Sequence, residues 1–209
     1  MFENKVAPQA SARPAPVQRR GIERVQAILE AADSLLREQG YDAATLKAIG
    51  DRTGIPLASI YHYFADRYQV DVELAHRHVR ELDARITAAL ERPVARNLRQ
   101  ATDVIIDLLL AYYREFPGFI ELWFVGRPPA IAEVARVFDA AQSERFWRYL
   151  IDREFVDAET PLLPVELAFE AGNRLFDIAF RRSSSGDEAT IAEARRLVAA
   201  YLETYAPRA

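Results

Sequence analysis

The chain contains no cysteine. That absence excludes disulfide frameworks, Cys-ligated zinc, iron–sulfur clusters and thiol nucleophiles together, and it suits a reducing compartment. Glycine is scarce, at 8 of 209 residues, against a usual share of roughly 7%. The shortage favours helix. No apolar run is long enough to cross a bilayer, since the longest, Val104 to Tyr113, is broken by Asp107. The first twenty residues are polar and rich in Pro, Ala and Arg, without the apolar centre of a secretory signal. GxSxG, a Gly-rich phosphate loop and HExxH are missing too, and no carboxylate pair stands out, so the residues point away from an enzyme. A soluble, cytoplasmic protein without membrane contact is expected.

What is present is a chain that is 50% hydrophobic and 28% charged, long enough to bury a sizeable core. Its net charge of −4 argues against coating nucleic acid with the whole surface, but the total hides an asymmetry. Lys5, Arg13, Arg19 and Arg20 face only Glu3 over residues 1–22, while the acidic excess falls in residues 91–209. The basic segment over residues 1–20 is either a solvated tail or a flexible arm that follows phosphates.

Glycine and proline punctuate the rest. Gly40, Gly54, Pro93, Pro117, Gly118, Gly126, Pro128, Pro129, Pro161, Pro164, Gly186 and Pro207 separate segments whose apolar residues recur at helical spacing. Ile22, Val25, Leu29, Ala32, Leu35 and Leu36 form one such face, and Val72, Ala75, Val79, Leu82, Ile86 and Leu90 another. No stretch alternates with period two for long enough to make a strand. The fold class is therefore all-α, with about nine helices.

Residues 45–64, TLKAIGDRTGIPLASIYHYF, hold two short helical patterns around a glycine, the helix-turn-helix arrangement. Thr45 can cap the first helix, with Leu46 and Ile49 inward. Gly54 permits the left-handed backbone of the reversal, and Pro56 sets φ for the second helix. Ile60 and Phe64, four apart, face the core, which leaves Leu57, Ala58, Ser59, Tyr61 and His62 mainly outward. Hydroxyls and small apolar groups on such a face suit a major groove. Tyr63 and Phe64 read as core. His62 is either a base contact or merely exposed. His76 and His78, two apart on a helix, point to nearly opposite faces, so no metal site and no cofactor are assigned.

On these residues Gln26 to Gln69 resembles the DNA-binding domain of the TetR family of transcriptional repressors. The likeness is carried by AILEAADSLLREQGY, by Thr45, Ile49 and Gly54, and above all by IYHYFADR at Ile60 to Arg67. It implies an all-helical homodimer, an N-terminal DNA-binding domain and a larger C-terminal domain that binds a small effector and dimerises. It also implies that Thr45, Lys47, Tyr61 and Arg67 reach the DNA, Arg67 standing where the family usually has Lys. Asp66 with Gln69 makes a capping pair. Pro56 in place of a common Ser, and Ala58 in place of a common Gly, depart from the pattern without threatening the fold.

The expected domains are a basic arm (1–20), the helix-turn-helix unit (21–68), a linker helix (69–92) and an effector-binding and dimerisation domain (93–209). The last is crowded with aromatic residues, most of them core. Clefts lined by such rings with a few polar groups hold apolar ligands. Tyr112, Phe116, Phe119, Trp123, Phe138 and Phe169, with Arg127 and Asn173 as polar anchors, are the candidate effector residues. A satisfied structural role is the alternative for each anchor. Ala168, Ala171, Gly172 and Ala179 on one helix, and Ala192, Ala199 and Ala200 on the last, resemble the family's four-helix dimer interface. The alternative is that these faces pack within their own chain. The function expected is a repressor that leaves a palindromic double-stranded operator when a small, largely apolar effector binds. A helical ligand-binding or scaffold protein would leave the Ser59, Tyr61, His62 face unexplained.

Overall fold

The computed structural model describes residues 16–92, 95–126 and 129–207. Among them nine α-helices and one π-helical segment account for the regular structure, and no strand occurs. The N-terminal unit is α1 (Pro16–Gln39), α2 (Leu46–Thr53) and α3 (Leu57–Ile60), and α4 (Arg67–Leu90) leads out of it. The C-terminal part comprises α5 (Leu98–Glu115), α6 (Pro117–Ile120), the π-helical Glu121–Gly126, α7 (Pro129–Asp152), α8 (Leu163–Arg182) and α9 (Glu188–Glu203).

Local chemistry sets these boundaries. Four helices begin with a side chain that accepts from the third residue of the helix: Thr45 from Ala48 N–H, Asp66 from Gln69, Asn97 from Gln100 and Asp187 from Thr190. Each such cap is worth about 1 kcal/mol. At α4 the pair is reciprocal, because Gln69 Oε1 accepts the Ala65 N–H at 2.8 Å. α1 closes at Gly40, whose φ of +79° the turn requires.

Two boundaries move from those the sequence suggested. α1 begins at Pro16, so Arg19 and Arg20 belong to a helix and not to an arm, while Lys5 and Arg13 lie outside the described residues. Ile22, read as part of the buried face of α1, is 59% exposed; full burial starts at Ile28, because the first turns of α1 stand out beyond the core.

α4 is shared by both halves. Val70 and Leu74 are buried in the same core that takes in Ile28, Leu36, Ile49 and Ile60, and Leu82, Ile86 and Leu90 extend that core toward the C-terminal helices. α7 packs along α4, α8 lies beside α9, and α6 presses on α1. At that last contact Gly118 is a close approach: a Cβ there would stand 2.6 Å from the backbone oxygen of Asp33. The small residues of α8 serve the chain itself. Ala168, Gly172 and Ala179 are buried, and a Cβ on Gly172 would meet Val198 of α9 at an ordinary 3.6 Å. That part of the expected dimer surface is therefore consumed inside the subunit, as is Ala199.

Two substitutions separate these glycines in urea unfolding. Gly118→Ala is expected to destabilise by about 1–3 kcal/mol through overpacking against α1. Gly172→Ala is expected to stabilise by roughly 0.5–1 kcal/mol, because the added methyl fits and the helix gains propensity.

Candidate nucleic-acid interface

The interface is assembled by burying one side of a short hairpin of helices. Leu46, Ile49 and Gly50 of α2 face inward, and Gly54 turns the chain with φ +68°. Ile60 is fully buried and Phe64 nearly so. α3 proper is one turn, extended by the turn at Tyr61–Tyr63, where Phe64 N–H still reaches the Ile60 carbonyl at 3.0 Å. With that side fixed, the opposite side is presented to solvent. Thr45, Lys47, Leu57, Ala58, Tyr61 and His62 are exposed, Tyr61 by 52%, and Ser59 is half-buried. Tyr63 is half-buried and its ring edge lies beside Gly21 of α1.

Polar contacts hold this unit in place. Arg52 of α2 donates to Ser34 Oγ at 2.8 Å and to Glu38 Oε2 at 2.7 Å, both on α1. The bond from Arg52, and then one from the Ser34 hydroxyl at 2.8 Å, pull the Glu38 carboxyl down to about 2. At the start of α4, Asp71 is 1% exposed and accepts from the Tyr41 hydroxyl and from Arg67 Nε, each at 2.7 Å. Burial raises the Asp71 carboxyl above its ordinary range, against the lowering by Arg67 and Tyr41. Burial and then the Asp71 hydrogen bond push the Tyr41 hydroxyl up to about 12.

Arg67 is where structure and sequence reading part. Its fork, expected to reach the DNA, is turned inward: Nε is on Asp71, Nη1 donates to the Tyr41 carbonyl at 3.2 Å, and the guanidinium lies 4.5 Å over the Tyr41 ring. Nη2 is buried without a partner. The next residue, Tyr68, is 42% exposed on the first turn of α4.

The candidate effector residues do not gather in one place. Tyr112, Phe116 and Phe119 surround His78, and Phe119 leans on Trp123 with ring centroids 4.8 Å apart. Phe119 and Trp123 are buried as core. Phe138 lines a cleft of about 510 Å³ between α4 and α7, with Val72, Val79, Val134 and Val137. Phe169 and Asn173 line a narrow cavity of about 40 Å³ between α5, α7, α8 and α9, with Ile105, Ile106, Phe146 and Val198. Arg127 lies outside the described residues. Among these, no helix is long and apolar enough to cross a membrane.

Comparison with known proteins agrees with this architecture. Residues 28–70 match the bacterial regulatory proteins of the tetR family, and residues 97–202 match the tetracyclin repressor-like C-terminal domain. The transcriptional activator FasR of Mycolicibacterium smegmatis is 27% identical over 141 residues, 64% of this chain and 64% of FasR, so the chain matches less than two thirds of that relative. The transcriptional repressor KstR of Rhodococcus jostii is 24% identical over 175 residues, 80% of this chain and 78% of KstR. A TetR-family regulator of Streptomyces coelicolor superposes with a TM-score of 0.67 at 31% identity, covering 87% of this chain and 99% of that one.

Removing the buried carboxylate tests the clamp. Asp71→Ala is expected to cost about 3 kcal/mol in chemical unfolding, because Arg67 is left partly buried and unpaired. Thr45→Ala, which removes a cap and no buried charge, is expected to cost about 1 kcal/mol in the same unfolding. The chain belongs to the TetR family of bacterial regulatory proteins, which are DNA-binding transcription regulators and not enzymes.

Proposed function

We propose that this member of the family is a repressor that binds a palindromic operator as a homodimer and leaves it when a small, largely apolar effector binds. One observation carries the DNA side of the reading: over fully buried Ile60, the chain exposes Leu57, Ala58, Tyr61 and His62 together, with Lys47 and Thr45 on the neighbouring helix. Exposed Leu and Tyr at that spot have no packing role. They suit base edges and thymine methyls, while Lys47, Thr45 and Tyr61 suit phosphates. Arg67 belongs to the support of the interface and Tyr68 joins its edge.

The dimer is supported by what α8 and α9 leave outside. Leu163 and Leu167, four apart on α8, are 58% and 49% exposed, and Leu197 of α9 is 46% exposed. A second copy burying that face by a two-fold axis would set two α3 segments about 34 Å apart, one turn of DNA. For the effector, the cavity bounded by Phe169 and Asn173 is apolar but, at about 40 Å³, far below the roughly 300–1,000 Å³ of an ordinary ligand pocket. Binding there would separate α5 and α7 from α8 and α9. A coupling of about 1–3 kcal/mol between the sites would change operator affinity some 5- to 150-fold.

Operator fragments found by selection from genomic DNA give the test by fluorescence anisotropy. Lys47→Ala is expected to weaken every sequence alike and to lower the salt slope by about 1, whereas Tyr61→Phe loses a phosphate hydrogen bond. Wild-type affinity and slope in both would overturn the assignment. Leu167→Glu with Leu197→Glu is expected to sediment as a monomer and to lose operator binding; a dimer that persists would move the interface elsewhere.

A further inference from the structure

α1 runs past the core it serves. Ile28 and Leu29 are buried, but over residues 19–26 only Gly21 and Val25 are even half-buried. Those two lie on the helix line that leads to Ile28, at i, i+4 and i+7. Gly21 brings that line against the recognition turn, since a Cβ there would stand 4.0 Å from the Tyr63 ring. Tyr63 follows directly on Tyr61 and His62, so the second and third turns of α1 border the exposed face that α3 offers to DNA.

Burial does not account for this stretch, and its charge is uneven. Residues 16–29 hold Arg19, Arg20 and Arg24 against Glu23 alone. Arg19 takes that carboxylate, at 3.1 Å. Elsewhere in the N-terminal unit and at its exit the arginines serve the fold: Arg37 and Arg52 pair with Glu38, and Arg67 with Asp71. Arg20 and Arg24 are exposed, and among the described residues neither side chain has an ion pair or a hydrogen bond. Four residues apart, they stand one above the other on a single flank of α1, where two like charges repel. A bound anion would turn that repulsion into attraction.

We propose that Arg20 and Arg24 form a second phosphate-binding element, with which α1 grips the DNA backbone beside the groove that α3 enters. The inference rests on the proposed operator binding and adds to it a helix outside the helix-turn-helix. Phosphate is the fitting partner for two reasons. Duplex DNA carries one negative charge about every 1.7 Å along its axis, so two cations on one helix flank meet a row of anions. A guanidinium fork also matches a phosphate with two parallel hydrogen bonds. Base edges are left to Leu57, Ala58 and His62, which stand on α3 and its extension, while Arg20 and Arg24 flank that unit from α1.

The test measures anisotropy across salt on a selected operator fragment and on a duplex of unrelated sequence. It compares wild type with Arg20→Ala/Arg24→Ala, with Arg20→Lys/Arg24→Lys, and with Arg92→Ala/Arg96→Ala, which removes the same charge elsewhere. Arg92 and Arg96 are exposed beyond the far end of α4, about 36 Å from its start. The alanine pair in α1 is expected to lower the salt slope by about 2 per half-site on both duplexes alike. Its loss of affinity should then be at least about tenfold greater at about 50 mM salt than at about 200 mM. The lysine pair, which keeps the point charges, is expected to hold the wild-type slope, as is the distant alanine pair. All four proteins should melt together, because the side chains removed are exposed and unpaired. A wild-type slope in the α1 alanine pair, or an equal drop in the distant pair, would overturn the inference while leaving operator binding intact. A loss confined to fragments with A·T-rich flanks would put these side chains in a groove and refute the phosphate contact. A wild type that binds neither duplex would bring down the operator reading and this inference with it.

Discussion

One helix has to satisfy two halves of the molecule, and α4 is built for it. Its 24 residues span about 36 Å. At its start, a buried carboxylate gathers Arg67 and Tyr41; further on, Leu74 and Ala75 pack under the DNA-binding unit, and its last turns bury Leu82, Ile86 and Leu90. A displacement of α7 against α4 must therefore be absorbed at the Asp71 clamp or passed into the placement of α2 and α3. Since packed cores switch between discrete arrangements and do not bend smoothly, the second outcome is the natural one.

The same logic explains why α6 is short and ends in a π-helical turn. Phe119, Trp123 and Phe124 must all enter the core, while Gly118, a residue earlier, must leave room for α1. The wider π turn spaces the rings, and Arg181 of α8 secures it through the Phe124 carbonyl at 2.6 Å. α8, the π-helical segment, α6 and α1 thus form a run of direct contacts from the exposed leucines of α8 to the base of the DNA-binding unit.

The N-terminal unit was legible in the sequence because its signals are local. A cap at Thr45, a left-handed glycine at 54 and a capping pair at Asp66 and Gln69 each act within four residues, and the structure realises all three. The effector site was not legible in that way. An aromatic residue at helical spacing looks the same whether it meets another ring or an empty space, and the difference depends on helices distant in sequence. Phe119 and Trp123 met rings; Phe169 met a narrow gap. Nor could spacing reveal that Gly172 meets α9 of the same chain and that Ala168 and Ala179 are buried within it, since small residues serve either kind of close approach.

Arg67 shows how the choice of one cation distributes work across a junction. A lysine is a point charge on a flexible stem, free to follow a phosphate. Arginine has a planar fork that can meet a carboxylate, a carbonyl and an aromatic face together. Here it meets Asp71, the Tyr41 carbonyl and the Tyr41 ring, which stiffens the junction of α1, α3 and α4 and withdraws a charge from the DNA side. The exposed cations of the N-terminal unit include Lys47 and, at the start of α1, Arg19, Arg20 and Arg24. Arg19 is already engaged by Glu23 at 3.1 Å. The first turns of α1 extend past the core without burying Ile22, and they hold Arg20 and Arg24 exposed beside the helix-turn-helix, where Gly21 lies next to the Tyr63 ring.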